Sequence, residues 1–306
     1  MNTPRLYLFL SVDIINSTAK KYDTENPINW YSVFTDFYVT FPDELGTHLE
    51  SEYKYRGELK YSKEKLVTWK HAGDEILFYI EITQTDEVPC IVSGFKKTLE
   101  DWYTPTEKLD VKGCIWTGQV PFIDRRIPEK EAAKFDFIGP SIDCGFRLGK
   151  YASKNEIAIS IEVADLLNGT SWLQSSLFYL KSENLKGVLG TKKYPIFILK
   201  LDKAKTNEYD CLNTPCRPTD LDEYIEKYYA EINLDFPGKV SRIEKDIPSY
   251  LSSKKEICKK IVMTKTSELQ DALEIDSAKK GDTTVFEQLD SLASKSGEKK
   301  IRNYYK

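Results

Sequence analysis

The sequence predicts an α+β fold, a sheet with helices packed on it, and three observations support that class. Short apolar runs typical of strands recur up to about residue 201. Segments with large apolar residues at helical spacing separate these runs. Two of the runs flank a glycine-containing turn and therefore predict a hairpin. Interleaving of this kind is typical of an α+β or α/β domain with helices on a sheet.

The first predicted elements are a strand at 6–13, a helix at about 30–51 and a hairpin at 66–82. The strand is an apolar run that ends at Asp13 and leads into a small, polar helix start. The hairpin turns around Asp74, between apolar runs on either side. The helix repeats large apolar residues at helical spacing: Trp30, Phe34, Phe37, Phe41 and Leu45.

The later elements follow the same alternation. The predicted ranges are a helix at 88–103, a strand at 109–117, a helix at 140–151, a strand at 156–161, a helix at 162–168 and a strand at 194–199. The charged segment 124–131 is interpreted as too hydrophilic for a core element. Pro195 indicates that the last strand begins there or lies at an edge of the sheet.

The chain of 306 residues is long enough for about two domains. We expect one domain over 1–201, a linker over 202–219 and a mostly helical extension over 220–306. Asn, Thr, Pro and Lys dominate the linker, and the extension has helical spacing but few large apolar residues.

Composition excludes several classes of partner. The net charge is −4 and no arginine-rich stripe is present, so we expect no nucleic-acid partner. No apolar run approaches the roughly 20 residues that span a bilayer, so we expect no membrane contact and a cytoplasmic location. The six cysteines fall at irregular spacings and are expected to be reduced thiols, mostly buried.

Asp13 and Asp74 are the candidate metal ligands. Each alone is also explained as a helix cap or a turn residue, where aspartate is favoured. If the first strand neighbours the hairpin, both carboxylates reach one pair of divalent cations, which such sites hold about 3.5–4 Å apart. The pair therefore predicts phosphoryl chemistry on a nucleotide.

A third segment, 135–148, begins a helix at Gly139–Pro140. Asp143 and Arg147 are four residues apart and share one helical face. A simple ion pair within the helix is the alternative interpretation of this spacing.

In these motifs the sequence resembles the class III nucleotidyl cyclases. The run from Asp13 (Asp, Ile, two residues, Ser-Thr) is similar to their first metal-binding segment, and Gly73–Asp74 is similar to their second. Lys70 stands four residues before Asp74, at the place of their base-reading lysine.

The resemblance continues to about residue 200. Asp136, Gly139, Asp143 and Arg147 match the spacing of the family's dimerisation arm, which usually has Asn at the place of Asp143. The segment 117–120 resembles the family's glycine-containing strand. The segment 185–187, with further lysines at 192 and 193, resembles its late Lys-Gly segment, which places Lys186 near the triphosphate.

This resemblance implies a ferredoxin-like cyclase domain that works as a head-to-tail homodimer with two composite sites. Asp13, Asp74 and the Ile14 carbonyl would hold two Mg²⁺ or Mn²⁺ ions. The partner would supply Arg147 to the α-phosphate. The remaining expected substrate contacts are Lys70 and Asp136 at the base, Asp143 near the ribose, and the main-chain N–H groups of Asn16, Ser17 and Thr18 at phosphate oxygens.

The amino-acid sequence of segment 137–148 and the charged extension resemble those of the bacterial pyrimidine cyclases of the Pycsar antiphage system. A carboxylate beside an ammonium group suits adenine or cytosine and disfavours uracil and guanine. The resemblance argues against ATP, so we expect CTP to be converted to cyclic CMP, with UTP as the first alternative. Tyr53, Tyr55 or Trp69 are candidates for narrowing the pocket. A separate effector protein would sense the product.

Two other classes remain open at this stage. A noncatalytic nucleotide-binding module predicts loss of a metal aspartate, yet both are present. A polymerase-palm or diguanylate-cyclase-like enzyme has a similar acidic hairpin but does not explain the spacing from Asp136 to Arg147.

Overall fold

A computed structural model describes residues 5–22, 29–56, 61–102, 109–120, 124–128, 135–188, 192–202 and 214–232. All of them belong to one compact unit, Arg5–Tyr250. The second unit, 1–4 and 251–306, lies outside the described residues, as does the predicted extension beyond residue 232.

The strands are β1 (Arg5–Ile14), β2 (Val67–Ala72), β3 (Glu75–Ile82), β4 (Val111–Val120), β5 (Arg125–Pro128), β6 (Phe135–Ile138), β7 (Glu156–Ile159), β8 (Leu177–Glu183) and β9 (Tyr194–Lys200). The helices are α1 (Ser17–Lys21), α2 (Asn29–Arg56), α3 (Glu87–Trp102), α4 (Pro140–Leu148), α5 (Ile161–Leu167), α6 (Ser171–Gln174) and α7 (Pro218–Ile232). The α+β class predicted from the sequence is confirmed.

Seven strands form one mixed sheet in the order β2-β3-β1-β4-β7-β9-β8. In chain order, strands β1 to β4, with α2 and α3 as connections, follow the β-α-β-β-α-β order of a ferredoxin-like core. β7 pairs parallel to β4, and β9 and β8 then add antiparallel strands. Both outermost strands contain a shift in register: β2 between Thr68 and Lys70, and β8 between Tyr179 and Lys181.

Alternation along β1 separates two faces of the sheet. Leu6, Leu8, Leu10 and Val12 share one face and are fully buried. The long helices α2 and α3 pack together and bury large side chains at helical spacing, which include Phe37, Phe41, Leu45, Phe95 and Trp102. Phe41 also stacks on Phe78 of β3. This apolar layer is the main core.

The opposite face carries an aromatic layer. Its members are Tyr7 and Phe9 of β1, Trp69 of β2, Tyr79 of β3, Trp116 of β4, and Phe135 and Phe137 of β6. The separate hairpin β5–β6 therefore covers this face, beside α4. Along β1, Asp13 shares this face with Tyr7 and Phe9 because it lies an even number of residues from both.

The structure corrects or completes three expectations about elements. The segment 124–131 was expected to be too hydrophilic for a core element. Arg125–Pro128 is strand β5 of the separate two-stranded sheet, and residues 125–127 are not buried, as expected, but Asp124 is fully buried. Helix α6 and strand β8 lie where no element was predicted. Pro195 stands at the start of β9 as expected, but β9 lies between β7 and β8 and is not an edge strand.

Helix α7 begins at Pro218, inside the predicted linker, and packs on α5. Its buried side chains are Leu221, Ile225 and Tyr228. Tyr224 and Tyr228 also contact the rings of Phe197 and Tyr194 on β9. The described start of the extension is thus helical, as expected, while the domain limits remain a prediction.

The four described cysteines are free thiols, and Cys90, Cys114 and Cys144 are buried while Cys216 is partly exposed. Cys211 and Cys258 lie outside the described residues. In the part of the chain that the structure describes, no helix is both long enough and apolar enough to cross a membrane.

Candidate active site

Three charged residues form a row across one end of the three neighbouring strands β3, β1 and β4. Asp13, near the end of β1, lies directly opposite Glu75 of β3 and directly opposite Lys112 of β4. Side chains that are directly opposed in antiparallel strands point to the same face. The Lys112 ammonium group lies 3.3 Å from an Asp13 carboxylate oxygen. Glu75 accepts a hydrogen bond from the Ser11 hydroxyl.

Asp74 lies beside this row, in the two-residue turn that joins β2 to β3. Gly73 has a φ of 72°, which suits the first central position of a type II′ hairpin turn. The Ile14 main-chain N–H donates to the Asp74 main-chain oxygen at 3.4 Å, so the turn is tied to the end of β1. The Tyr38 hydroxyl of α2 donates to the Gly73 carbonyl oxygen.

Several carboxylates lie close together at this end of the sheet, and the pKa values of Asp13 and Glu75 are raised there. Burial raises the pKa of Asp13, the Lys112 ammonium group opposes that rise, and the Asp74 charge adds to it. Burial also raises the pKa of Glu75, against a lowering by the Ser11 hydrogen bond. The pKa of Tyr38 is raised by burial and then by the charges of Asp74 and Asp13.

The residues present fit a site for hard divalent cations. Carboxylate and carbonyl oxygens are the ligands that Mg²⁺ and Mn²⁺ prefer. The two aspartates lie on neighbouring elements and repel each other, a repulsion that a bound cation relieves. Among the described residues no group of three or more acidic, histidine or cysteine side chains has a metal-binding arrangement. A cation here would thus depend on the aspartates, the main chain near Ile14 and substrate oxygens.

A β-bulge in β2 turns Trp69 and Lys70 to the same face. The register of β2 on β3 shifts between Thr68 and Lys70, which inserts Trp69 as an extra residue. A bulge of this kind re-aims a side chain. Lys70 lies opposite Leu77, two residues from Glu75, so it shares the face of the charged row. Trp69 contacts Phe137 on that same face.

Lys70 and Asp136 form a close ion pair. The ammonium nitrogen lies 2.8 and 3.0 Å from the two carboxylate oxygens. The side chains are 34% and 36% exposed, so the pair is open to a ligand. An ammonium group has three donor hydrogens and a carboxylate several lone pairs, so both keep capacity for further hydrogen bonds.

Aromatic rings border this ion pair. The Lys70 ammonium group lies 4.2 Å from the Trp69 ring centroid and 5.6 Å from that of Phe146. Phe146, on α4, is 41% exposed and contacts Trp69 and Trp116. The Lys70–Asp136 pair therefore opens beside an exposed aromatic side chain that the sequence did not single out.

Helix α4 places Asp143 and Arg147 on its exposed side. The Arg147 guanidinium donates to the main-chain oxygen of Asp143 at 2.8 Å. Within the described residues the structure shows this main-chain contact and no ion pair between the two side chains. A Cβ atom at Gly187 would lie 3.6 Å from an Arg147 nitrogen, which places the guanidinium beside the Lys186–Gly187 turn. Lys186 is exposed there.

The remaining predicted residues divide between the site and the core. Asn16 adopts a left-handed conformation, with a φ of 56°, at the start of α1. Ser17 is buried and Thr18 is exposed. Tyr53 is buried and bonded to Glu87, so it is a core residue, whereas Tyr55 on α2 is 83% exposed.

Sequence reasoning missed Lys112, Glu75, Phe146 and Asp124. Strand alternation places Lys112 and Glu75 on defined faces, but their position opposite Asp13 depends on the register between strands. Glu75 was visible as the residue after Asp74 in the acidic hairpin.

No protein-family model matches the chain, and no curated protein matches it. Among solved structures, the chain is similar to the guanylate cyclase domain of RhGC from Catenaria anguillulae, at 13% identity and a TM-score of 0.44, over 66% of this chain and 100% of that one. It is also similar to the adenylyl cyclase CyaB from P. aeruginosa, at 14% identity and a TM-score of 0.44, over 67% and 98%.

A third similar structure is an adenylate cyclase from Trypanosoma brucei, at 13% identity and a TM-score of 0.48, over 67% of this chain and 92% of that one. Similarity at this level does not assign an activity or a substrate. Those conclusions depend on the residues of the site.

Proposed function

We propose that the protein is a nucleotidyl cyclase that converts CTP to 3′,5′-cyclic CMP and diphosphate. The observation that carries this proposal is the arrangement of one sheet face. Asp13, beside the turn that carries Asp74, shares that face with Lys70, which lies two strands away and pairs with Asp136. Carboxylates for cations and a donor–acceptor pair for a base are the two requirements of nucleotide phosphoryl chemistry.

In this proposal Asp13 and Asp74 hold divalent cations, together with the Ile14 carbonyl. Divalent cations at such a site lower the pKa of the ribose 3′-hydroxyl and offset the charge of the triphosphate. The N–H groups of residues 16–18 and the Lys186 ammonium group contact phosphate oxygens.

The 3′-oxygen forms a bond to the α-phosphorus, and the bond from that phosphorus to the bridging oxygen breaks to release diphosphate. Arg147 donates hydrogen bonds to the α-phosphate oxygens as charge develops there, a role worth several kcal/mol in comparable sites. Asp143 accepts a hydrogen bond from the ribose. An aspartate can fill only the accepting part of the role that an asparagine performs.

The Lys70–Asp136 pair supports an amino-bearing base. The carboxylate accepts from an exocyclic amine, and the ammonium group donates to the neighbouring ring nitrogen. Cytosine and adenine present this edge, whereas uracil presents N3–H between two carbonyl groups. Trp69 and Phe146 border the pair and favour the smaller ring. UTP is the second candidate substrate and ATP the third.

We propose a homodimer in which one subunit contributes the carboxylates and its partner contributes Lys70, Asp136 and Arg147. On the outer face of the β5–β6 hairpin, Ile127 and Ile138 are 42% and 48% exposed. Exposed apolar side chains beside Asp136 support burial of this surface against a second copy. Release of cyclic CMP to a separate effector in antiphage defence is proposed from the resemblance of segment 137–148.

The deciding experiment is incubation of the purified protein with each of the four nucleoside triphosphates and Mn²⁺, followed by identification of products by mass. Cyclic CMP as the main product supports the proposal. A dinucleotide product would favour a palm-type enzyme. Binding of nucleotide without turnover would favour a noncatalytic module. Asp74→Ala serves as the control for a contaminating enzyme.

A further inference from the structure

Asp124 is a buried carboxylate that joins two elements of the site. Its side chain is fully buried although two arginines follow it in the chain. One carboxylate oxygen accepts the Gln119 main-chain N–H at 3.0 Å, near the end of β4. The other accepts the Ser141 main-chain N–H at 3.1 Å, in the first turn of α4. The carboxylate therefore links the central sheet to the start of α4.

Two glycines leave space for this carboxylate. A Cβ atom at Gly139 would lie 2.2 Å from one Asp124 carboxylate oxygen, and a Cβ atom at Gly118 would lie 3.2 Å from the other. Gly139 also has a φ of 148°, which side chains disfavour. Side chains are thus absent at the two backbone positions, Gly118 and Gly139, that lie against the Asp124 carboxyl group.

Burial of the ionised carboxylate at this place carries a cost. Burial raises the pKa of Asp124 to about 6, although the N–H groups of Gln119, Ser141 and Ile142 favour the ionised form. At neutral pH the ionised group therefore costs stability relative to water. What the ionised group does provide is a strong acceptor for N–H groups that begin α4.

We propose that Asp124 is a positioning residue for the proposed reaction: its carboxylate fixes the first turn of α4 against β4 and so sets the position of Asp143 and Arg147. This inference rests on the proposed function. Asp143 and Arg147 are two and six residues beyond Ser141 on the same short helix, so a shift of the first turn moves both. Protonation of Asp124 makes its carboxyl oxygens weaker hydrogen-bond acceptors and therefore loosens the contact between the first turn of α4 and β4.

The groups around the carboxylate define its titration. On β4 the facing group is the Gln119 main chain, and on α4 it is the first turn, with the Ser141 hydroxyl. From β1, the Phe9 ring lies over Gly118 beside it. The Arg125 guanidinium of β5 donates to the main-chain oxygen of Asp124 at 3.1 Å.

The test compares kcat of the wild type and Asp124→Asn across pH 5.5 to 8.5 with CTP. The asparagine is neutral, like the protonated aspartic acid. We expect kcat of the variant to be about 10- to 100-fold lower than that of the wild type at pH 8. The ratio of wild type to variant should fall by roughly three- to fourfold between pH 8 and pH 5.5, because only about a quarter of Asp124 stays ionised at pH 5.5 when its pKa is about 6. Groups that titrate in both proteins, such as the metal ligands, cancel in the ratio. A ratio that is constant with pH would overturn the proposal.

Asp220→Asn is the matched control, since it makes the same chemical change at an exposed ion pair at the start of α7. Its kcat ratio to the wild type should be 1 at every pH. A second measurement needs no variant: amide exchange of residues 140–148 in the wild type, corrected for intrinsic rates, should be slower at pH 7.5 than at pH 5.5. Equal protection at both would also overturn the proposal.

These readouts separate the two proposals. If the wild type makes no cyclic nucleotide from any triphosphate, the proposed function fails while amide exchange still decides the role of Asp124. If the wild type is active and the variant matches it at pH 8, Asp124 is not a positioning residue and the cyclase proposal stands.

Discussion

The ammonium group of Lys70 contacts both carboxylate oxygens of Asp136, at 2.8 and 3.0 Å, across the boundary between the central sheet and the β5–β6 hairpin. The two residues are 66 positions apart in the chain. Their meeting depends on the bulge at Trp69, which turns Lys70 to the face that the hairpin covers. The donor and the acceptor proposed to recognise the base are thus already paired before a nucleotide binds.

Replacement of Lys70 tests the recognition of the base. Lys70→Met keeps the apolar stem and removes the donor, so kcat/KM for CTP should fall about 10- to 100-fold, the value of one hydrogen bond to a charged group. Initial rates with varied CTP measure it. Lys181→Met is the control, because Lys181 pairs with Glu183 on an exposed strand. Equal losses in both variants would contradict a role in base recognition.

Replacement of Asp74 tests the site for cations. Asp74→Ala should abolish turnover, because the divalent cations that offset the negative charge of the triphosphate lose one of their two carboxylate ligands. The fold should persist, since Asp74 occupies a turn and its hydrogen bond to Ile14 uses the main chain. Mass spectrometry of products and light scattering measure turnover and dimerisation. Activity that persists would refute the metal role.

Shared sites predict complementation. Asp74→Ala and Arg147→Ala each damage a different half of a composite site, so a mixed dimer contains one intact site. An equimolar mixture should regain up to about a quarter of wild-type activity if subunits exchange at random, because half the dimers are mixed and each has one of two sites. Each variant measured alone is the control. No recovery after subunit exchange would argue that each subunit holds a complete site.

Phe146 is predicted to restrict the size of the base. Phe146→Ala removes a ring that is 41% exposed beside Lys70. The ratio of kcat/KM for ATP to that for CTP should rise by roughly tenfold, the usual scale for a change in pocket size. Trp172→Ala, at an exposed ring that stacks on Arg56, is the control. An unchanged ratio would exclude Phe146 as a determinant of base size.

Gly145 is predicted to be essential for the packing of α4. A Cβ atom there would lie 2.2 Å from the Trp116 ring, whereas a Cβ atom at Gly46 of α2 meets no atom within 4 Å. Gly145→Ala should therefore lower the free energy of unfolding by about 1–3 kcal/mol. Gly46→Ala should raise it by about 0.5–1 kcal/mol. Thermal and urea unfolding measure both, and equal effects would show that α4 can move away from β4.

Local patterns were sufficient for most elements and for the two aspartates. Asp13 ends an apolar run and Asp74 follows the glycine of a hairpin, so both positions are visible in short stretches of sequence. Lys112 could not be placed, because its contact with Asp13 depends on how β4 aligns with β1. The order of four strands and two long helices followed from the same local patterns.

Asp124 shows a second reason why part of the site could not be predicted from the sequence. Charged neighbours indicated an exposed segment, yet its carboxylate is buried because main-chain N–H groups from two elements converge on it. Every residue except proline has a main-chain N–H donor, so the residue types do not show where such donors converge. The nearest sequence signal was Gly139, whose missing side chain makes room for the carboxylate.

The irregular outer strands of the sheet limit how copies of the chain can associate. β2 and β8 each contain a shift in register, so neither offers a long, straight ladder of free N–H and C=O groups. Interrupted edges hinder the growth of a sheet from one molecule into the next. Contact between copies through broad surfaces is thereby favoured over strand-to-strand pairing, which at high concentration protects against fibrous aggregates.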